Sequence, residues 1–310
     1  MDLEQGLVSF GLPAFKSLYF EKALKSILNQ SYTNLEVIIV NDASPDDFDS
    51  ILKKYKEDKR IRYYINPVNL GATSLVSNWN RCVSLAKGEF FVLASDDDQY
   101  HEDFVSEMLK LSKKYPEVDL FHSRVAMIDQ DDKIFDLSPL CPEYETCFDF
   151  VWHRMRNYRS QYAPDFMCRT DALRSIGGFV DFPSAWCSDD ATWFMLAKKG
   201  GVVYSSKILF HFRYSGINIT SGGHVDDKIK ANALFKKWLF DFLENIPVLP
   251  ISKELLHNQI ELVFGQRNSL LLSSKPYWEL MIMVFHAQNG IGCRIVIQAI
   301  GRKIFQRKTN

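Results

Sequence analysis

The chain has 310 residues, 46% of them hydrophobic, and 37 Lys and Arg against 38 Asp and Glu give a formal net charge of −1. A chain of this length can bury a large core, and its near-neutral balance gives no overall positive field that would recruit nucleic acid. The N-terminus MDLEQG lacks the apolar segment of a signal peptide, no apolar run approaches the roughly 18 residues that cross a bilayer, and the six cysteines form no CxxC pair. These features predict a cytoplasmic protein, with the inner face of the cell membrane as an alternative location.

The first half of the chain alternates between two kinds of segment. Short β-rich runs are LVSFGL, LEVIIV, IRYYI, EFFVLA and DLFHSRVAM. Segments of helical period follow them: FEKALKSILNQ, DDFDSILKKYKED, SLVSNWNRCVSLAKG and EDFVSEMLKLSKKYP. This alternation predicts an α/β fold with a mostly parallel sheet and helices on both faces, whose ligands lie at the carboxyl ends of the strands. We assign residues 1–126 to a nucleotide-binding half.

The second half changes character. IDQDDKIFDL predicts two short strands around an acid-rich turn that contains Asp131 and Asp132, and FHFRY alternates as a strand does. Beyond His224 the period is helical, with predicted interruptions at NIPVLPIS and GQRNS. We therefore expect one α/β domain over residues 1–222, with its second half at 127–222, and a helical extension over 223–310.

The last stretch, GIGCRIVIQAIGRKIFQRKTN, combines an apolar side with a basic one. The apolar side is Val296, Ile300 and Ile304, and the stretch holds no acid. Its cations are Arg294, Arg302, Lys303, Arg307 and Lys308. Such a helix either lies on an anionic membrane surface or packs its apolar side on the domain.

Polar residues follow three of the predicted strands. The run SDDDQY after EFFVLA places Asp96–Asp98 where carboxylates can hold a hard divalent cation, although three acids also suit the first turn of a helix. VNDASPDD places Asp42 after the second strand, where its carboxylate can accept a hydrogen bond from a planar base. NLGATSLVSNWN supplies Asn69, Gly71 and Asn80, which are suited to the close approach of a diphosphate.

Four blocks in order and spacing resemble the family 2 glycosyltransferases, whose nucleotide-sugar-binding fold is called GT-A. The blocks are VSFGLPAFK, ALKSILNQSYTNLEVIIVNDASPDD, NLGATSLVSNWNRCVSLAKGEFFVLASDDD and IGGFVDFPSAWCSDDATWFMLAKKG. The resemblance covers residues 7 to about 220 and fades after Ser221. It implies a Rossmann-like GT-A domain that binds a nucleotide-sugar donor.

The resemblance assigns roles on the donor side. Asp42 would read the base, with the backbone of Pro13 and Ala14 closing the pocket, and Asn69, Gly71 and Asn80 would line the sugar or diphosphate. The family usually has Asp-x-Asp-Asp at the strand end, whereas this chain has Ser95 at the first position. The departure leaves two candidates for the ribose contact, Asp96, which is the preferred one, and Ser95. The resemblance implies that Asp97 holds Mn or Mg.

On the acceptor side the resemblance points to the segment SDDATW. Counting back from Trp193 makes Asp189 the catalytic base, with Ser188 in place of the usual Glu and Asp190 as a competing base. Gly177 and Gly178 would admit the acceptor, although a helix C-cap also explains at least one of them.

Two basic groups have alternative explanations. His211 and Arg213 would contact the diphosphate, or belong simply to a strand. The cluster of four basic residues either meets a phosphorylated, lipid-linked acceptor or forms a solvated helical face, and the latter is the expectation. Its members are His153, Arg154, Arg156 and Arg159.

The resemblance predicts an inverting, metal-dependent hexosyl- or N-acetylhexosaminyl-transferase. The donor would be a UDP-sugar, and the acceptor a hydroxyl of a glycan or lipid-linked glycan in surface polysaccharide assembly. Because Ser95 and Ser188 replace two acids of the family pattern, a catalytically inactive nucleotide-sugar-binding subunit is the alternative. No motif encodes the donor sugar, the acceptor or the oligomeric state.

Overall fold

The structure is a computed structural model that describes residues 3–216, 224–246, 250–285 and 292–306. The chain divides into two compact units. The first comprises Met1–Asp181 and Ser188–Asn218, and the second comprises Phe182–Cys187 and Ile219–Asn310. The predicted domain boundary after residue 222 lies outside the described residues.

The first unit is built on one sheet, to which the described residues contribute ten strands. They are β1 (Glu4–Ala14), β2 (Leu35–Asn41), β3 (Ile61–Ile65), β4 (Gly88–Leu93), β5 (Gln99–Tyr100), β6 (Leu120–Ile128), β7 (Ile134–Leu137), β8 (Tyr144–Glu145), β9 (Phe166–Arg169) and β10 (Val202–Arg213). All five β-rich runs of the first half are therefore strands, as predicted.

The sheet runs β3-β2-β1-β4-β9-β6-β10-β5, with β7 paired to β6 and β8 paired to β10. Strands β3, β2, β1 and β4 are parallel neighbours, and so are β6 and β10. Because β9 is antiparallel to both β4 and β6, these two groups point the same way. The six long strands thus form the mostly parallel sheet that was predicted, and short antiparallel strands complete it.

The helices of the first unit cover both faces of this sheet. They are α1 (Phe20–Leu28), α2 (Phe48–Leu52), α3 (Leu75–Leu85), α4 (Phe104–Lys114), α5 (Cys147–Met155), α6 (Thr170–Ser175) and α7 (Ser188–Gly200). Alternation along β1 points Phe10 into the core shared with Leu24 of α1 and Met108 of α4. Gly11 points the other way, where an added Cβ would lie 2.7 Å from Cβ of Cys82 in α3. The absence of a side chain at Gly11 lets α3 pack closely on the sheet.

The second unit contains α8 (Val225–Glu244), α9 (Lys253–Leu272), α10 (Tyr277–Phe285) and α11 (Cys293–Gln306). The predicted break at GQRNS is wrong, because α9 continues through Gly265. Burial of Val263, Phe264 and Ser269 outweighs the cost of about 1 kcal/mol for a helical glycine. Part of NIPVLPIS, residues 247–249, lies outside the described residues.

A core cluster of the second unit settles where the apolar side of α11 lies. Val296 is fully buried with Leu272 and Leu280, and Ile300 packs against the same cluster, whereas Ile304 is 46% exposed. The interpretation that this helix packs on its own domain is thus correct for Val296 and Ile300. Arg307 and Lys308 lie outside the described residues. Among the helices that the structure describes, none is both long and apolar enough to cross a bilayer.

Candidate active site

The loop after β4 places three adjacent carboxylates in different surroundings. One oxygen of Asp96, Oδ2, accepts hydrogen bonds from the backbone N–H groups of Phe15 and Lys16, at 2.9 and 2.8 Å. Asp98 is buried, and its two oxygens accept hydrogen bonds from the Ser95 hydroxyl and from the backbone N–H of Arg213. The loop after β1 is therefore held to the loop after β4 through Asp96.

Burial dominates the acidity of this cluster. It raises the pKa of Asp96 to about 6, against the two N–H groups that lower it. It also raises the pKa of Asp97, where the Ser95 hydroxyl and the charges of Lys16 and Arg213 act in the opposite direction. The pKa of Asp98 lies well above its usual value because of burial and the neighbouring charge of Asp97. A cation bound at Asp97 would therefore favour the ionised forms of these carboxylates.

Asp42 lies at the end of β2 and organises the loop after β3. Its Oδ1 accepts hydrogen bonds from the Asn66 side chain and from the Leu70 N–H, at 2.5 and 2.9 Å. Its Oδ2 accepts one from the Gly71 N–H at 2.7 Å. An added Cβ at Gly71 would lie 2.9 Å from this oxygen, so the approach requires glycine. Three of about four lone-pair positions on the carboxylate are used, and a donor on a bound base would fill the fourth.

The sequence analysis missed Asn66, which is almost fully buried beside Asp42. Its side-chain oxygen accepts a hydrogen bond from Arg81 of α3, so Arg81 and Asn66 together hold the Asp42 carboxylate in place. The available signal was positional. Asn66 directly follows β3 as Asp42 directly follows β2, and parallel strands bring both to one edge of the sheet.

Pro13 and Ala14 end β1 next to the end of β2, and the carbonyl of Ala14 accepts a hydrogen bond from the Asp42 N–H at 2.9 Å. The structure therefore brings both residues next to Asp42. In contrast, Asn69 stabilises the loop in which it lies, because its side-chain oxygen accepts a hydrogen bond from the Ala72 N–H at 2.9 Å.

Asn80 joins α3 to the glycine turn after α6. Its side chain accepts a hydrogen bond from the N–H of Phe179 at 2.7 Å and donates one to the carbonyl of the same residue at 3.1 Å. Gly177 and Gly178 adopt left-handed φ angles of 90° and 85°. Their N–H groups donate to carbonyls of Arg174 and Leu173, as in a helix C-cap. These contacts give Asn80 and both glycines a structural function, while their ligand contacts stay predictions.

Two adjacent acids at the start of α7 differ sharply. Asp190 is 2% exposed, and its Oδ1 accepts hydrogen bonds from Nε of Arg154 at 2.8 Å and from Gln161 at 3.1 Å. Asp189 is half-buried, and no described residue forms an ion pair with it. Burial, followed by the charge of Asp190, raises the pKa of Asp189 to about 7. A carboxylate with this pKa is suited to take and release a proton near neutral pH.

Arg213 is fully buried at the end of β10, and its guanidinium contacts several groups. Its guanidinium donates to the carbonyls of Asp97 and Asp129, at 2.8 and 2.9 Å, and pairs with the carboxylate of Asp132. It also stacks on Tyr19, 4.3 Å from the ring centroid. Arg213 therefore holds the acidic loop in place through the carbonyl of Asp97.

Asp132 belongs to the predicted acid-rich turn between β6 and β7, which the structure confirms. The sequence analysis did not anticipate that Asp132 would also bind Lys22 and Gln99, at 2.6 and 2.8 Å. His211 lies opposite Gln99 in the sheet, and burial together with the charge of His101 lowers its pKa.

The predicted solvated face of the basic cluster is wrong for three of its four members, while Arg156 hydrogen-bonds the hydroxyl of Tyr158, which is an exposed residue. Arg154 binds buried Asp190, and both Arg159 and His153 bind Glu145, whose side chain is 2% exposed. These cations neutralise carboxylates that burial would otherwise destabilise.

The acidic loop offers only oxygen donors, which suit Mg or Mn. Within residues 3–216 and the other described ranges, no three or more His, Cys, Asp or Glu side chains are arranged to hold a metal ion. Asp97 fits a site in which one protein carboxylate is joined by oxygens of the substrate.

A mostly parallel sheet of this order, with acids at the ends of β2 and β4 and a further acid starting α7, has the GT-A fold. Residues 9–174 match the family model described as "Glycosyl transferase family 2". The chain belongs to this family, as its sequence predicted.

Individual relatives cover different parts of the chain. A putative teichuronic acid biosynthesis glycosyltransferase, TuaG of Bacillus subtilis, is 27% identical over 69% of this chain and 82% of its own length. A GalNAc(5)-diNAcBac-PP-undecaprenol beta-1,3-glucosyltransferase of Campylobacter jejuni is 34% identical over 32% of each protein. An uncharacterized glycosyltransferase of Rickettsia bellii is 29% identical over 43% of this chain. The chain spans only 32% and 19% of the length of the last two relatives.

Solved structures share the fold at low sequence identity. S. aureus TarS 1-349 in complex with UDP-GlcNAc has a TM-score of 0.62 and 15% identity, covering 95% of this chain and 78% of TarS 1-349. The mannosyltransferase PcManGT of Pyrobaculum calidifontis, in complex with GDP-Man and Mn2+, has a TM-score of 0.56 and 14% identity, covering 96% and 87%. These likenesses establish the fold alone.

Proposed function

We propose that this protein is an inverting glycosyltransferase that moves a sugar from a nucleoside-diphosphate donor to an acceptor hydroxyl, with Asp189 as the base. The observation that carries the proposal is the pair of acids at the start of α7. Asp190 is fixed by Arg154, whereas the pKa of Asp189 is raised to about 7. The acceptor hydroxyl loses its proton to Asp189 as its oxygen attacks the anomeric carbon and the diphosphate departs. A single displacement from the opposite face inverts that carbon.

The donor nucleotide is assigned to the loops after β1, β2 and β4. Asp42 would accept the N–H of the base, which we assign as uracil, beside Pro13 and Ala14. Asp96 is held through Oδ2 alone, and no described residue hydrogen-bonds its Oδ1, so that oxygen could accept a ribose hydroxyl. The TarS structure with UDP-GlcNAc supports a UDP-sugar as the donor.

A divalent cation is assigned to Asp97 and the donor diphosphate. When bound, Mn or Mg would stabilise the negative charge that develops on the departing diphosphate. Arg213 keeps the loop in place, because it holds the Asp97 carbonyl and, through its own N–H, Asp98. The Mn2+ of the PcManGT complex supports this assignment.

The acceptor is assigned to a glycan, or a lipid-linked glycan, of surface polysaccharide assembly. Support comes from the printed functions of two relatives, teichuronic acid biosynthesis and transfer to a PP-undecaprenol-linked glycan. Gly177 and Gly178 would admit the acceptor beside Asp189. The transferred group would be a hexosyl or N-acetylhexosaminyl group.

Peripheral membrane contact is assigned to α10 together with the basic α11. One face of α10 is buried, because its Leu280 belongs to the core of the unit. Away from that face, Trp278, Met281 and Ile282 are 65%, 50% and 48% exposed. Apolar side chains that include Trp suit the boundary between headgroups and acyl chains. The cations of α11 would favour anionic lipids.

Calorimetric titration with UDP, dTDP and GDP, each with and without Mn, tests the donor site, and incubation with UDP-sugars and a lipid-linked acceptor tests transfer. Metal-dependent binding of UDP followed by inverted transfer is the expected result. Binding without transfer to any acceptor would favour the inactive binding subunit, and no nucleotide binding would overturn both.

Co-sedimentation with vesicles containing phosphatidylglycerol tests the membrane contact. The Trp278→Ser, Ile282→Ser double variant should bind vesicles several-fold more weakly than Leu234→Ser, which removes a comparably exposed residue, 49%, from α8. Equal binding by both variants would remove α10 from the proposal.

A further inference from the structure

The second unit contains a groove of about 850 Å³ between α9 and α11. It shares no residue with the candidate active site, and its volume is typical of sites for organic ligands rather than for a single small ion. Its polar lining residues are Asn258, Glu261, Gln266, Arg294, Gln298 and Arg302.

The polar side chains of this groove are available for a ligand. Arg294 and Arg302 lie two turns apart on the same helix, and within the described part of the chain neither forms an ion pair or a hydrogen bond. Glu261 is the acid in the lining, and its two oxygens bind Lys236 at 2.9 and 3.0 Å. The two guanidinium charges are therefore not neutralised by the groove itself.

Three amides complete the polar lining. Asn258 and Gln266 belong to α9, and Gln298 lies one turn from both arginines on α11. Their side chains are exposed and have no hydrogen-bond partner among the described residues. Each amide offers both donors and an acceptor, which is what a sugar hydroxyl requires, whereas guanidinium groups favour phosphate oxygens.

Glycines on both helices keep the groove open. An added Cβ at Gly301 would meet nothing within 4 Å, and one at Gly265 would only touch Ile295 at 4.0 Å. Neither glycine is needed for a left-handed backbone, since both lie inside helices. Larger residues at these positions would fill the space between the amides and the arginines.

We propose that this groove binds a phosphorylated saccharide, with Arg294 and Arg302 on the phosphate and the amides of Asn258, Gln266 and Gln298 on the sugar hydroxyls. The phosphate could belong to a soluble sugar phosphate or to the headgroup of a lipid. The proposal concerns binding alone and does not rest on transfer activity.

The soluble source is tested by calorimetric titration of the full chain with glucose 1-phosphate, glucose and inorganic phosphate, with UDP and Mn present to occupy the donor site. Glucose 1-phosphate should bind more tightly than either fragment. The Arg294→Gln and Arg302→Gln substitutions should each weaken its binding roughly tenfold, the usual effect of one charged hydrogen bond. Lys237→Gln removes an exposed cation from α8 and should change nothing.

Gly301 provides a matched pair of variants. Gly301→Leu should abolish binding by filling the groove, whereas Gly301→Ala adds one methyl group, favours the helix and should retain binding. Circular dichroism of both variants checks that the helix is intact. The lipid source is tested with phosphatidylcholine vesicles that contain either phosphatidylinositol or phosphatidylglycerol. The headgroup of phosphatidylinositol joins a phosphate to a ring of hydroxyl groups, whereas phosphatidylglycerol supplies the negative charge without the ring.

Loss of glucose 1-phosphate binding in the arginine and Gly301→Leu variants would support a soluble ligand. Tighter binding to the phosphatidylinositol vesicles than to the phosphatidylglycerol vesicles, lost in the same variants, would support the lipid headgroup. The proposal would be overturned if wild type bound no glucose 1-phosphate and showed no preference for phosphatidylinositol, or if these variants left the binding unchanged. Failure of UDP to bind would leave these comparisons intact, because they depend only on differences between variants of the second unit.

Discussion

Arg154 donates a hydrogen bond from Nε to Oδ1 of Asp190 at 2.8 Å, and this bond separates the roles of two adjacent acids. Asp190 forms an ion pair with Arg154, which lies on α5. Asp189 keeps a proton more readily because burial and the charge of Asp190 both disfavour its ionisation. The sequence alone left the two residues in competition, and the pairing favours Asp189 as the base.

Replacing Asp189 with Asn should reduce the transfer rate by about 10² to 10⁴-fold, the usual contribution of a general base. The free energy of unfolding at neutral pH should not fall, because the substitution removes a poorly solvated charge. Transfer assays, urea unfolding and UDP titration measure the three properties.

Asp190→Ala is the contrasting variant. It leaves the partly buried Arg154 without its acid and should lower the free energy of unfolding by about 3 kcal/mol. If Asp190→Ala abolished transfer in folded protein while Asp189→Asn did not, the two roles would be exchanged.

The transfer rate should depend on pH through Asp189. A base must be ionised, so kcat/KM should rise with pH and level off above the pKa of about 7. The charge of Asp190 raises this pKa, and Asp190→Asn should therefore move the midpoint below 7. A pH profile of both proteins, each checked for folding at every pH, makes the comparison. An unchanged midpoint would show that another group titrates.

Metal-dependent binding should depend on Asp97 and not on its neighbours. Asp97→Ala should remove the effect of Mn on UDP affinity in a calorimetric titration, since this carboxylate is the proposed ligand. Lys22→Ala is a suitable control. It removes an exposed ion-pair partner of Asp132 and leaves the proposed metal ligand in place. A Mn effect that persists in Asp97→Ala would exclude that residue as the ligand.

The glycine turn after α6 should tolerate substitution at one position better than at the other. Both glycines have left-handed φ angles, which cost an alanine about 1–2 kcal/mol. A Cβ at Gly178 would also lie 2.4 Å from Oδ1 of Asn80, whereas one at Gly177 meets nothing within 4 Å. Gly178→Ala should therefore destabilise the protein more than Gly177→Ala in urea unfolding. Equal effects would mean that Asn80 moves aside freely.

Arg213→Lys should destabilise the protein although it preserves the charge. A lysine cannot reach the carbonyls of Asp97 and Asp129 and the carboxylate of Asp132 at once, so buried acceptors are left without donors. The expected loss is about 2–3 kcal/mol. Asp132→Asn keeps an acceptor for Arg213 and should lose less. Thermal unfolding of the two variants ranks them, and the reverse order would contradict the bracing role of Arg213.

Periodicity was sufficient to predict the strands of the first half, because their apolar runs are short and bounded by polar turns. It failed at Gly265, where packing of neighbouring side chains overrides a local helix breaker. The position of Asp42 and Asp97 follows from strand ends, which the sequence marks clearly. The pairing of Asp132 with Arg213 and that of Arg154 with Asp190 do not follow in this way, because the paired residues are 81 and 36 positions apart in the sequence. Such pairings depend on the crossing of distant elements, which no local pattern encodes.

The hydrogen bonds between Asn80 and Phe179 have a consequence for engineering. They join α3 to the segment that follows α6, across 99 residues of sequence. In a chimera that receives residues 170–200 from a relative, the incoming turn would pack against the native Asn80 side chain. That side chain leaves no room for a Cβ at position 178. Exchange of this segment between family members should therefore give folded protein more often when the residue at position 80 is transferred together with it.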